Sequence, residues 1–394
     1  MKKCLALALA VLMLAGCCAV FASCGGDSDT IKIGLSGPLT GPAATYGEAV
    51  EKSALLAIEE INANGGLKNG VKLELLSTDD EHKASKVPTN FSNMLSSGMQ
   101  VALGCVTSDP CKEFASLSYE NNVFFLTPSA SADAVVSKDN AYQMCFADGN
   151  QGAVAADYVN SLYSKGELGK LGILYKAGDV YSQGIYEQFM DNLNADLKTA
   201  VANDIASYTG EDASVDFTAQ VNVLSDCTFI FMPIYYTPAA KFMNAANGKI
   251  ANNATYYGCD GLDGIDGSIE GFNLAAIPQK VSMLSHFNSK ATEGKAADYI
   301  AAYKAKYGES APLNQFGASA YDCVYAIAGA LNAAIDEGKT VDGSSTAAEL
   351  CDILKAKFGG DYKFSGATGT DITWASTGFV KKGAVAYVVK DFNA

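Results

Sequence analysis

Two histidines and a single tryptophan in 394 residues set the first limits on this chain. His82 and His286 stand far apart, and there is no HExxH, no GxSxG and no Walker-type lysine motif. Zinc hydrolysis, nucleophile-elbow hydrolysis and nucleotide-phosphate chemistry each lack their usual apparatus. The run GLDGIDG is rich in glycine but does not have dinucleotide spacing. A hydrolase built on Ser108 would need a general base, and no feature places one. Neither enzymatic activity nor a cofactor is expected.

Positive charge is also scarce. With 28 Lys and Arg against 43 Asp and Glu, the formal net charge is −15. Polyanion binding needs clustered Lys and Arg, so a nucleic-acid partner is excluded as an expectation. Eleven cysteines are present but no CxxC, so neither a zinc site nor a disulfide scaffold is indicated. Four of them lie in or beside the first 24 residues, and the other seven, an odd number, cannot all pair within one chain. Cys105 and Cys111 flank one loop and are the pair that could bridge, with buried free thiols as the alternative.

Long hydrophobic runs are absent after the N-terminus. Lys2 and Lys3 precede an apolar stretch over residues 5–14, too short to span a bilayer and laid out like a secretory signal. It ends in Leu14-Ala15-Gly16-Cys17, which resembles the lipobox of bacterial lipoproteins, where the cysteine is acylated. Cys24 in FASC is the alternative, and the polar tether GGDSD follows it directly. Cleavage before Cys17 leaves the mature chain two units more negative. The expected location is extracytoplasmic, on the bacterial cell membrane through a lipid anchor only.

What remains is an alternation of strands and helices. Residues 31–35 (IKIGL) read as a strand, and 48–62 carry Val50, Ala54, Ile58 and Ile61 at helical spacing before Asn64-Gly65-Gly66 stops the pattern. Strands at 71–76, 101–104 and 123–126 follow with helices between them, which predicts βαβ units and a parallel sheet. The rhythm breaks at CFADGNQG (145–152), and a second series begins, with strands at 171–175, 204–208, 229–232 and 255–259. It breaks again at VSMLSHFN (281–288). The three helices beyond come without strands and must pack on a sheet already made. The tail, 371–374 and 384–389, reads as a hairpin returning to the second lobe. The expected architecture is α/β, two doubly wound, Rossmann-like lobes joined by a three-crossing hinge. Residues 1–30 form the signal and tether, 31–147 with 285–364 one lobe, and 148–284 with 365–394 the other.

The stretch VFFLTPSASA ends a strand abruptly at Thr127-Pro128 and offers Ser129, Ala130 and Ser131 at its carboxyl end. One unit earlier, the strand at 101–104 runs into Thr107-Ser108-Asp109-Pro110. In open α/β sheets ligands sit at such carboxyl ends. Small hydroxyl and amide groups without a base are equipment for holding a small polar solute.

The order of IKIGLSGPLTGPAATYGE, EEINANGG, VTSDP, FFLTPSASA, DFTAQV, YYTP and YGCDG resembles the periplasmic leucine-, isoleucine- and valine-binding proteins, type I periplasmic binding proteins of branched-chain amino-acid ABC transporters. The resemblance implies that Ser108 holds the ligand carboxylate, that Ser129, Ala130 and Ser131 grip its α-groups, and that Asp260 faces the ammonium. It places Tyr46, Tyr181 and Tyr236 as aromatic walls and Phe316 at the side-chain pocket. Asp260 is one methylene shorter than the glutamate typical of the family. A cysteine pair that braces the first lobe in some members is replaced by Glu81-His82 and Thr107. The resemblance implies a monomer that binds an amino acid, delivers it to permease subunits and contains no metal. A ligand-sensing receptor component for an amino acid, amide or urea-like solute is the other reading. Asp260 could also be a turn former in its glycine-rich loop, the two serines could be helix caps, and the tyrosines could be ordinary packing residues.

Overall fold

The computed structural model describes residues 29–266, 269–382 and 388–391. Cys17, Cys24 and the leader lie outside the described residues. Within them no helix is long and apolar enough to cross a membrane.

The first sheet holds β1 (Thr30–Gly37), β2 (Lys72–Asp79), β3 (Val101–Cys105), β4 (Phe124–Thr127) and β5 (Ala141–Gln143) in the order β2-β1-β3-β4-β5, every pair parallel. Strands β3 and β4 are buried along their whole length, as strands covered by helices on both faces must be. Helix α1 (Ala44–Ala63) turns Val50, Ala54, Ile58 and Ile61 into the core. It is stopped where Gly66, at φ +91°, brings its backbone so close to Val71 that a Cβ would lie 2.3 Å from the Val71 carbonyl oxygen. Helices α2 (Val87–Ser96) and α3 (Ser108–Glu120) complete this series.

The second sheet is built from β6 (Leu171–Lys176), β7 (Ile205–Tyr208), β8 (Phe229–Met232), β9 (Thr255–Gly258) and β10 (Lys280–Ser285), all parallel, with α4 (Asp148–Ser164), α5 (Val180–Asn192), α6 (Ala195–Val201), α7 (Thr218–Leu224) and α8 (Tyr236–Ala246) around it. Three later helices, α9 (Gly294–Tyr307), α10 (Gln315–Asp336) and α11 (Ala347–Phe358), return to the first sheet. Tyr299 of α9 bonds Ser53 of α1 at 2.8 Å, and Tyr321 and Tyr325 of α10 both donate to Glu60.

The tail departs from expectation. Strands β11 (Phe364–Gly366), β12 (Gly369–Trp374) and β13 (Val380–Lys381) form a small antiparallel sheet of their own against the first lobe. Trp374 Nε1 donates to the Gln143 carbonyl at 2.7 Å, its ring packs on Phe358, and Gln143 N–H donates to the Gly378 carbonyl. Only β14 (Val388–Asp391) crosses to the second sheet, where it pairs antiparallel with β10. The chain is therefore still on the first lobe at Lys382, so no passage lies near Ser365. Docking beside β5 buries the large Trp374 ring and satisfies its indole N–H.

The passages meet at one place. Phe146, before α4, lies edge-on to His286, just past β10, with ring centroids 5.4 Å apart. Lys382 Nζ stands 5.5 Å above the same Phe146 ring and donates to Thr368 Oγ1 at 2.8 Å. The His286 ring bonds Ser319 at 2.9 Å and is held neutral by burial.

Cys105 and Cys111 are both free and buried, so no bridge forms between them. Both lie in the apolar layer between β3 and α3, and burial pushes the Cys105 thiol well above its usual range.

Candidate ligand-binding site

The carboxyl ends of β3, β4, β8 and β9 converge between the sheets. Thr127 Oγ1 donates to the Cys105 carbonyl at 3.0 Å and accepts from Ala130 N–H at 3.1 Å, which folds the chain after β4 into a tight turn. That turn brings Ser129 and Ser131 to the cleft beside Ser108, the first residue of α3. Ser108 Oγ accepts from Ala132 N–H at 3.3 Å, which ties the two loops together. Thr107 occupies the N-cap of α3 without capping it, so the first-turn N–H groups carry no side-chain acceptor. Such a helix start favours a carboxylate.

From the second lobe comes Asp260, in a 3-10 turn after β9 and only 4% exposed. Tyr181 donates its hydroxyl to Asp260 Oδ1 at 2.8 Å and accepts from Gly261 N–H at 2.8 Å. Burial pushes the Asp260 carboxyl up to about 7, against the lowering effect of the Tyr181 hydrogen bond. Gly261 has to be glycine, since a Cβ there would lie 2.6 Å from the Tyr181 hydroxyl. Tyr46 reaches across from α1, donates to the Gly261 carbonyl and accepts from Tyr236 N–H at 3.3 Å. Phe316 packs edge-on to Tyr46 at 5.0 Å.

Tyr46, Ser108, Ser129, Ser131, Tyr181, Asp260 and Phe316 thus border one cavity of about 10 Å³, room for about one water. Two expected residues do not. Ala130 is turned into the lobe, where its carbonyl accepts from Gln143 Nε2 at 3.1 Å. Tyr236 stands one ring behind the wall, edge-on to Tyr46 at 4.7 Å, with its hydroxyl accepting from Thr45 N–H at 3.2 Å. Its place is taken by Tyr235, stacked on Tyr181 at 4.7 Å. The swap follows from the start of α8: Tyr235 is the extended N-cap residue and points into the cleft, while Tyr236 is already on the helix.

Reading the sequence also missed Asp148 and Gln151, in the first turn of α4. Asp148 is 2% exposed and neither carboxylate oxygen has a hydrogen-bond partner among the described residues. Burial pushes its carboxyl well above the usual range, and the nearby Asp260 reinforces the shift. Gln151 Oε1 accepts from Asp260 N–H at 3.1 Å, and its amide nitrogen is unpartnered. The break in rhythm at CFADGNQG was the available signal, because polar residues opening a helix beside a crossing are placed next to the cleft. His82, edge-on to Tyr235 at 5.1 Å, lines a wider polar chamber of about 510 Å³ with Asp109, Lys176, Asp179 and Asp212.

Residues 30–383 match the periplasmic binding protein family. A Leu/Ile/Val-binding protein of Rhizobium johnstonii is 28% identical over 324 residues, 82% of this chain and 83% of its own. A leucine-, isoleucine-, valine-, threonine- and alanine-binding protein of Pseudomonas aeruginosa is 28% identical over 333 residues, covering 81% and 83%. Among solved structures, the branched-chain amino acid transporter substrate-binding protein of Streptococcus pneumoniae, in complex with isoleucine, superposes with a TM-score of 0.71 at 25% identity over 92% of this chain and all of that one. A solute-binding protein of R. palustris in complex with benzoate shares the fold, with a TM-score of 0.73 at 17% identity over 92% and 95%. The fold is that of the type I periplasmic binding proteins.

Proposed function

The chain belongs to the periplasmic binding protein family, and we propose that within it this protein captures an α-amino acid between its lobes and delivers it to the permease of an ABC transporter. The observation that carries this reading is the division of the site. Hydroxyls and uncapped helix N–H groups come from the first lobe at Ser108 and Ser131, and the acid Asp260 with Tyr181 comes from the second. A zwitterion needs both sets, and only the closed protein supplies them together. Among the described residues no Lys or Arg borders the cavity, and two buried acids stand at or beside it. A lone carboxylate of the benzoate kind brings no cation to pair Asp260, whereas an ammonium does, which favours a ligand carrying its own ammonium.

The protein acts as a monomer outside the cytoplasm, held to the membrane by a lipid on Cys17. Family membership and the α-amino site support binding, and the lipobox supports the anchor. Thermal shift and titration calorimetry against the common amino acids, with benzoate and urea alongside, test it. A ligand at ~100 Kd adds about 2.7 kcal/mol of stability. Binding of benzoate with no response to any α-amino acid would refute the reading.

A further inference from the structure

Thr107 is a threonine at a helix N-cap that does not cap its helix. The hydroxyl lies instead 2.9 Å from His82 Nδ1, while the residue borders the ligand cavity. The other ring nitrogen, His82 Nε2, faces Asp212 Oδ2 of the second lobe at 3.9 Å, and Lys176 Nζ holds Asp212 Oδ1 at 2.9 Å. Thr107 and His82 come from the first lobe, and Asp212 and Lys176 from the second.

We propose that the chain Asp212–His82–Thr107 sets the side-chain specificity of the site, selecting a neutral α-amino acid whose side chain carries a hydrogen-bond donor, a hydroxyl or a carboxamide. This rests on the amino-acid reading above and refines it. A carboxylate beside Nε2 favours the tautomer with the proton there, which makes Nδ1 the acceptor. Thr107 then donates its only proton to His82 and turns oxygen lone pairs toward the cavity. Burial keeps His82 in the neutral form this arrangement needs. Once Ser108, Ser129, Ser131 and Asp260 are assigned to the α-groups, and the Tyr46 and Tyr181 hydroxyls are engaged by the Gly261 backbone, the lining left is aromatic and aliphatic except for the hydroxyls of Thr107 and Tyr235. Of these two, Thr107 is the acceptor fixed by its own hydrogen bond to His82, and a purely aliphatic side chain leaves it unpaired; leaving a buried polar group unpaired is what discriminates strongly.

The test is calorimetry on the full-length mature protein with two isosteric pairs, threonine against valine and asparagine against leucine. The donor-bearing member of at least one pair should bind about tenfold tighter or more. Thr107→Val should reduce that preference to within threefold or invert it, and Thr107→Ser, which keeps the hydroxyl, should retain it. Thr107→Val loses no helix cap, and if it nevertheless fails to fold, the wild type and Thr107→Ser still decide. Valine and leucine binding as tightly as their partners would overturn the specificity assignment while leaving amino-acid capture intact. A preference that survives Thr107→Val overturns it as well. A response to no α-amino acid at all would overturn both readings.

Discussion

Tyr181 holds Asp260 through a hydrogen bond of 2.8 Å from its hydroxyl to Oδ1, and both groups are buried. The tyrosine supplies one donor to a carboxylate that has lost its water, and an ammonium would supply the charge. Truncating one side of such a desolvated pair typically costs about 2 to 5 kcal/mol, roughly 30-fold to several-thousand-fold in affinity. Asp260→Ala should weaken the best amino acid by that much. Asp260→Asn keeps the shape and should lose most of the affinity too, which separates charge from packing. Calorimetry that finds Asp260→Asn within threefold of wild type would remove the ammonium from this position.

The same residue makes a pH prediction. Its folded-state carboxyl titrates at about 7, against about 3.8 for an ordinary aspartate. Between these values the folded protein holds a proton that the unfolded chain has released. The stability Asp260 contributes is therefore complete below pH 4 and lost as pH rises toward 7, at up to about 1.4 kcal/mol per pH unit. Denaturant titrations of wild type and Asp260→Asn should favour wild type progressively less from pH 5 to pH 8. Ligand affinity should move the other way, rising by up to tenfold per pH unit to about pH 7, because the ammonium needs the ionised acid. A flat stability difference and a flat affinity would rule out a raised Asp260.

Most of the framework could be read from periodicity alone. The β-branched and aromatic run before Thr127-Pro128 can be buried only as a central strand, and the stripe through Val50, Ala54, Ile58 and Ile61 only as a helix face. Residues at strand ends were legible for the same reason. Tyr236 was placed one residue off, because whether a tyrosine at a helix start points into the cleft depends on where the helical dihedrals begin. The destination of the tail was hidden, since β12 and β14 look alike as strands and only the docking of Trp374 beside β5 separates them. Asp148 had no motif, and its orphaned oxygens are visible only once α4 is packed.

Anchoring is a separate question. Leu14-Ala15-Gly16-Cys17 closes an apolar run too short to span a bilayer. Cys17→Ser should release the protein from the membrane fraction and abolish its metabolic labelling with fatty acid. If Cys17→Ser stays labelled and Cys24→Ser does not, the anchor is Cys24.

Closure gives the last prediction, through Tyr46. Its hydroxyl donates to the Gly261 carbonyl and accepts from Tyr236 N–H at 3.3 Å, so a first-lobe side chain is hydrogen-bonded to two second-lobe backbone groups at once. Its ring meanwhile packs edge-on to Tyr236 and Phe316. Tyr46→Phe keeps the ring and removes only the bridge between lobes. Each lost neutral hydrogen bond is worth about 1 kcal/mol, enough to lower the closed fraction of the free protein several-fold. Apparent affinity falls by the same factor, since a ligand that needs the closed form binds in proportion to its population. The variant should therefore show a larger radius of gyration than wild type in solution scattering without ligand. At saturating ligand both should contract to one common value with unchanged mass, and affinity should fall about three- to tenfold. The α-group contacts at Ser108, Ser131 and Asp260 are untouched by the change, so a much larger loss would mean that Tyr46 holds the ligand itself. Identical scattering profiles for the two free proteins, with affinity unchanged, would show that this bridge does not govern closure.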